Sequence, residues 1–142
     1  MIRGTYVLMM LLRTKSEMNI GSLGRVSLQS GWYAYAGSAM NGLLQRVNRH
    51  FISQKKMHWH VDYLSALCDT QYALLFLEGG PSECELASMI RSVGGLPAHP
   101  RFGSSDCRCS THLFYIFPEV LEELISWNYE AIMCKDAIIT AI

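Results

Sequence analysis

The chain has 142 residues, half of them hydrophobic, with twelve basic and twelve acidic side chains and no net charge. That length can bury a sizeable core without staples, and an odd count of five cysteines (Cys68, Cys84, Cys107, Cys109, Cys134) argues against a disulfide framework. No apolar run reaches the ~18 residues of a membrane span and no small-residue cleavage site follows the apolar N-terminal run, so the expectation is a single-domain cytoplasmic protein with no membrane association.

The neutrality hides an asymmetry. Residues 1–61 carry eight Lys/Arg against one acid and residues 62–142 carry four against eleven, so the halves stand at +7 and −7. If the fold gathers the first half's charges on one face, that face attracts a polyanion, with nucleic acid the obvious candidate. If the two halves pair across the domain, no patch remains.

In chain order, Gly4 to Leu12 is apolar nearly throughout and reads as a strand covered on both faces. Arg13 to Ser22 reads as a loop. A short strand from Leu23 to Leu28 and another from Trp32 to Gly37 complete a meander of three antiparallel strands. Near Asn41 the pattern changes to a helix reaching Phe51, with Leu43, Val47 and Phe51 on one side and Arg46 and His50 sharing another. The turn between can bring Tyr35 to the same end. A phenol, a guanidinium and an imidazole meeting there suit chemistry on an anion, because Arg offers a planar fork to phosphate and Tyr and His both move protons. Taken singly, each also suits ordinary packing or a solvated surface.

Beyond a basic connection, His58 to Leu67 reads as a helix and Tyr72 to Leu77 as a second buried strand, ended by Gly79-Gly80-Pro81. Ser82 and Glu85 have the spacing of a capping box, opening a helix that stops at Gly94-Gly95. Leu96 to Arg108 is irregular, Thr111 to Phe117 is a last strand, and Pro118 starts a helix. Glu130 to Ile142 continues as an amphipathic helix, and the apolar end of that tail can pack on a second copy, giving a homodimer, as readily as on its own domain. The expected class is therefore α/β (α+β), a small antiparallel sheet flanked by helices, with a helical extension from about residue 118.

Two clusters suggest binding. Trp59, interleaved with Lys55, Lys56, His58 and His60 and preceded by Arg49, can stack on bases while its neighbours grip phosphates; Trp59 equally suits a core anchor under a solvated loop. Cys107-x-Cys109-x-x-His112, joined by His58 or His60, has ligand types that suit Zn2+ in a closed site. The alternative there is small packing residues beside locally bonded histidines.

The order of segments resembles the GIY-YIG nuclease domain, and within it the small prokaryotic Uri-type endonucleases. Gly4-Thr5-Tyr6 is similar to the family's Gly-Ile-Tyr and Tyr35-Ala36-Gly37 to its Tyr-Ile-Gly, with Thr5 and Ala36 in place of Ile. Arg46 matches the family Arg, and His50 falls where members place Tyr or His. Trp59-His60-Val61-Asp62-Tyr63-Leu64, Glu83-Cys84-Glu85-Leu86-Ala87 and Phe102-Gly103-Ser104-Ser105-Asp106-Cys107 with His112-Leu113 extend the likeness over about residues 4–113.

The resemblance implies a DNA endonuclease that needs Mg2+ or Mn2+, with a repair protein as a further partner. Tyr6 would act as general base helped by Tyr35 or His50, Arg46 would bind the scissile phosphate, and Glu83 would hold the metal, with Glu85 as runner-up. The Asn that often follows the metal Glu has no equivalent, and Asp106 or Ser104 is the substitute on offer. Two other readings are a nucleic-acid-binding module that keeps the fold without cleaving, and a zinc-stabilised interaction protein.

Overall fold

The computed structural model describes residues 2 to 135 and 137 to 140. Its elements run β1 (Gly4–Leu12), β2 (Ser16–Ile20), a single 3-10 turn (Gly21–Leu23), β3 (Gly24–Leu28), β4 (Gly31–Ala39), α1 (Leu43–His50), α2 (His60–Ser65), β5 (Asp69–Leu77), α3 (Glu83–Ser92), β6 (Leu96–Pro97), β7 (Leu113–Ile116), α4 (Pro118–Ile125), β8 (Ala131–Cys134) and β9 (Ala137–Thr140). Seven strands form one antiparallel sheet in the order β6-β7-β4-β1-β5-β8-β9, and β2 pairs with β3 as a separate hairpin. Among the described residues four helices flank that sheet, so the α+β class holds with a larger sheet than the sequence suggests.

β1 lies at the centre because it is apolar on both sides. Tyr6, Leu8, Met10 and Leu12 face a core closed by Leu43 and Val47 of α1, Val61 and Leu64 of α2, and Ile20, Val26 and Leu28 of the hairpin. Val7 and Met9 face the other core, closed by Leu86, Ala87 and Ile90 of α3 and by Val120 and Leu124 of α4. α3 and α4 start where their local signals place them: Ser82 Oγ accepts from Glu85 N while Glu85 Oε1 accepts from Ser82 N, and Pro118 occupies the first turn of α4. No helix among the described residues is long and apolar enough to cross a membrane.

Two expectations fail. The three-strand meander does not form, since β3 pairs with β2 inside the segment read as a loop and β4 pairs directly with β1. Met18 and Ile20 alternate with Glu17 and Asn19 there, and the Glu17–Arg25 ion pair at 2.6 Å spans the hairpin. The tail is also not a helix: residues 131–140 form the hairpin β8–β9, with residues 136, 141 and 142 outside the described ones. Its β-branched residues favour strands, and β8 covers the outer edge of β5 by pairing Ala131, Ile132 and Met133 with Leu75, Leu74 and Ala73.

Asp62 is the clamp between α1 and α2. Its fully buried carboxylate accepts from His58 N and Trp59 N, both at 2.8 Å, and from Arg49 Nη1 at 2.5 Å. Burial alone would raise its pKa, but the Trp59 N–H, Arg49 and the His58 N–H outweigh it and hold the carboxyl below its usual range. Asp62→Ala should therefore cost about 3 kcal/mol in urea unfolding, because it strands Arg49 and two N–H groups. With a depressed folded pKa, the wild-type contribution is complete above the unfolded value near ~4 and is lost as pH falls through the folded one. The variant should lack that acid-side loss.

Candidate active site and metal centre

The site begins with a strand register. Tyr6 pairs with Gly37 and Leu8 with Tyr35, so the two phenols lie diagonally on one face of β1–β4, ring centroids 6.4 Å apart. A Cβ on Gly37 would lie 2.4 Å from the Tyr6 ring and 2.5 Å from its oxygen, so only glycine lets that ring lie across its partner strand. Gly103, at φ 71°, plays the same part for Tyr35: a Cβ there would lie 2.6 Å from the Tyr35 ring. The loop bearing Gly103 is held by Phe102, fully buried edge-on to Tyr35, and by Gly103 N donating to His60 Nδ1 at 3.0 Å.

The two phenols form the floor of a cleft of about 210 Å³, which is also lined by Ser38, Arg46, His58, Trp59, His60, Glu83 and Asp106. Arg46 of α1 donates to Ser38 O at 3.0 Å and lies 3.8 Å over the Trp59 ring. Glu83, the first residue of α3, comes from the opposite face of the sheet. It arrives where the β4–β7 ladder stops at Tyr35–Leu113, and the Thr5 hydroxyl donating to Pro81 O at 2.8 Å ties β1 to the segment ahead of α3. Tyr6, Tyr35, Arg46 and Glu83 thus meet in one place. The fifth expected residue, His50, lies behind the floor: it is buried, its Nε2 is 2.9 Å from the Tyr6 hydroxyl, and it is not among the lining residues.

Glu85 is not at the cleft, since its carboxylate is used by the capping box. Of the two substitutes for the missing Asn, Asp106 lines the cleft, whereas Ser104 is buried and its Oγ makes no hydrogen bond. The lining is mixed in charge, with Arg46 facing Glu83 and Asp106, and is not the basic groove that a polyanion would find most attractive. The first half's cations are largely spoken for: Arg49 pairs with Asp62, Arg3 with Glu78 and Arg13 with Asp69. Lys55 Nζ bonds Ser65 Oγ at 2.6 Å and reaches the Arg49 and His50 carbonyls. Arg49 and Lys55 are therefore engaged in holding the α1–α2 connection together, while Lys56 and His58 are exposed. Trp59 carries Arg46 over its ring and has Arg49 at 4.9 Å, so part of the ring surface available for stacking is occupied.

Beside the cleft a second constellation forms. Cys84, Cys107, Cys109 and His112 bring three sulfurs and one ring nitrogen within 4.8 Å of one another, a Cys3His cluster able to bind a metal ion. The fourth member is Cys84 of α3, not His58 or His60, which face the cleft instead. Sequence reasoning missed it because Cys84 is an inward position of a helix with no partner in local spacing. The only hint was its place one residue after the candidate Glu83.

The family described as "Domain of unknown function DUF123" matches residues 5–133. The chain belongs to that family. No curated protein and no solved structure matches it. The DUF123 match begins at the residue before Tyr6 and runs past His112, so it takes in both the cleft and the Cys3His cluster.

Burial sets the protonation states. It pushes the Tyr6 phenol well above its usual range against the pull of Arg46, and pushes Tyr35 up likewise with help from Tyr6 and Glu83. Glu83 is raised by burial and then by Asp106, while Arg46 and a hydrogen bond from the Ser38 side chain draw it back. His50 is held down to about 3, first by burial and then by Lys55. An unfolded chain takes up that proton near pH ~6.5, so the native state should lose stability as pH falls from there towards 3. His50→Gln should flatten that part of the stability profile, read from urea unfolding at a series of pH values. Gly37→Ala should cost about 1–3 kcal/mol by the same measurement, by forcing the Tyr6 ring aside.

Proposed function

We propose that this chain is a GIY-YIG-type endonuclease that hydrolyses phosphodiester bonds in DNA with the aid of Mg2+ or Mn2+. The observation that carries the reading is the convergence of Tyr6, Tyr35, Arg46 and Glu83, from four separate segments, on one cleft. Hydrolysis of a phosphodiester needs a water stripped of its proton, a phosphorane-like anion neutralised and a leaving oxygen stabilised. Arg46 would take a phosphate oxygen through the in-plane N–H groups that its bond to Ser38 O does not use. Its charge also favours the Tyr6 phenolate that would receive the proton of the attacking water.

His50 Nε2, against the Tyr6 hydroxyl, orients that oxygen and can accept its proton when Nδ1 carries the imidazole's own hydrogen. Burial keeps both groups neutral at rest, so Tyr6 becomes a base only when further positive charge enters the cleft. The donor set fits a hard cation, because Glu83 offers a side chain 34% exposed and Asp106 stands in the same cleft. Glu83, with Asp106 in the same cleft, would hold Mg2+ or Mn2+, which would supply Lewis acidity to the reaction. The Cys3His cluster is a different chemical environment, whose sulfurs suit Zn2+.

The test is nicking of supercoiled plasmid with Mg2+ or Mn2+. Glu83→Ala, Arg46→Ala and Tyr6→Phe should each slow it about 100-fold or more while thermal unfolding stays cooperative. Nicking that survives Glu83→Ala and Tyr6→Phe together removes the assignment. If the wild type nicks no duplex, branched or single-stranded substrate but shifts DNA in a gel, the chain is a binding module.

A further inference from the structure

The Cys3His cluster lies where three pieces of chain meet, beyond the core packing of α3 on β7 and the loop's own hydrogen bonds. Cys84 rides on α3, Cys107 and Cys109 lie in the irregular stretch between β6 and β7, and His112 stands one residue ahead of β7. All five cysteines of the chain are unpaired by disulfides, and only these three come together; Cys68 and Cys134 are elsewhere. Two of its sulfur–nitrogen spacings match a coordination shell. With metal–sulfur bonds near ~2.3 Å and metal–nitrogen bonds near ~2.05 Å, a tetrahedral zinc shell has sulfur–nitrogen edges of about 3.5 Å. The two distances between sulfur and His112 Nε2 are 3.5 Å for Cys107 and 3.8 Å for Cys84.

The other ring nitrogen of His112 adds a second, independent observation. Nδ1 is buried and makes no well-formed hydrogen bond; besides the Gly103 backbone, which also acts on this ring, its neighbour is Glu83 Oε2, 3.7 Å away and so within reach after a small side-chain adjustment. Metal-bound histidines commonly give their second N–H to a carboxylate, which fixes the tautomer and the ring. His112 is placed for that arrangement, with Nε2 towards the thiols and Nδ1 towards Glu83.

We propose that Cys84, Cys107, Cys109 and His112 form a structural zinc site, and that zinc, acting through His112, sets the direction of the Glu83 carboxylate. Metal on Nε2 leaves the proton on Nδ1, which Glu83 Oε2 accepts, so one carboxylate oxygen is held while the other stays turned to the cleft. The same ion pins α3 to the loop whose Phe102 and Gly103 support Tyr35. Cys84, Cys107, Cys109 and His112 are positioning residues. That the zinc site exists does not rest on the nuclease reading; that it serves catalysis does.

The test uses the full chain purified without a tag, with no DNA present. Elemental analysis should find one zinc per chain, and Co2+ exchanged into the protein should give a tetrahedral spectrum with thiolate charge-transfer intensity for three sulfurs. Alkylation of wild-type protein should spare Cys84, Cys107 and Cys109 until a chelator is added, and should modify Cys68 and Cys134 equally with or without it. These readouts need no variant to fold. Cys84→Ser should lose the metal, whereas Cys68→Ser should keep it, and Glu83→Gln should keep one zinc but hold it about tenfold more weakly against a competing chelator.

Metal-free protein as purified under reducing conditions, a disulfide among the three cysteines there, or zinc unaffected by Cys84→Ser overturns the site. Unchanged zinc affinity in Glu83→Gln overturns the link through His112. Loss of nicking with the zinc site intact would instead count against the proposed nuclease activity alone.

Discussion

The pairing of Tyr6 with Gly37 across β1 and β4 is the constraint on which the cleft rests. A strand face normally carries a side chain at every second position, and a ring laid flat over the neighbouring strand is possible only where that strand has none. With Gly37 opposite, the Tyr6 ring lies across β4 and its hydroxyl reaches His50 of α1. The other cleft residues are arranged around that floor. Arg46 projects from the same helix as His50, Trp59 lies beneath Arg46, and α3 delivers Glu83 around the end of the β4–β7 ladder.

Electrostatics in this molecule is mostly internal. The opposite charges of its two halves meet as Arg3–Glu78, Arg13–Asp69 and Arg49–Asp62, and the last of these is buried on its acidic side. Such pairing fixes the connection between α1 and α2 more than it creates a field for a distant polyanion. What remains at the cleft is a local arrangement, one guanidinium against two carboxylates over a floor of neutral phenols. An arrangement of that kind favours a ligand bringing both an anion and a cation over one bringing a bare negative charge.

The parts of the fold legible in the sequence were those decided locally or by burial on both faces. β1, β4 and β5 are long apolar or aromatic runs, α3 announces itself through Ser82 and Glu85, and α4 through Pro118. The strand-to-helix turn was enough to expect Tyr35 near Arg46 and His50, whereas Tyr6 and Glu83 were expected at that end only through the GIY-YIG resemblance. Partner choice for short strands was not legible, because β2 and β8 have nothing in their own residues to say which edge they will join. Nor was the fate of Arg49 and Lys55: a basic residue looks solvated until its buried acceptor, here Asp62 or the Ser65 hydroxyl, folds against it. Cys84 was hidden for the same reason, since its companions lie in a loop more than twenty residues away.

The two halves of the cleft differ in how much freedom they have left to lose. Tyr6 and Tyr35 are buried against Gly37 and Gly103, so those rings have little freedom to surrender when a molecule enters. Glu83 and Asp106 are more open to solvent, and the ordering entropy of binding would fall chiefly on them. Selectivity for shape is therefore built into the aromatic side of the cleft before any encounter, and adaptability is concentrated on the carboxylate side.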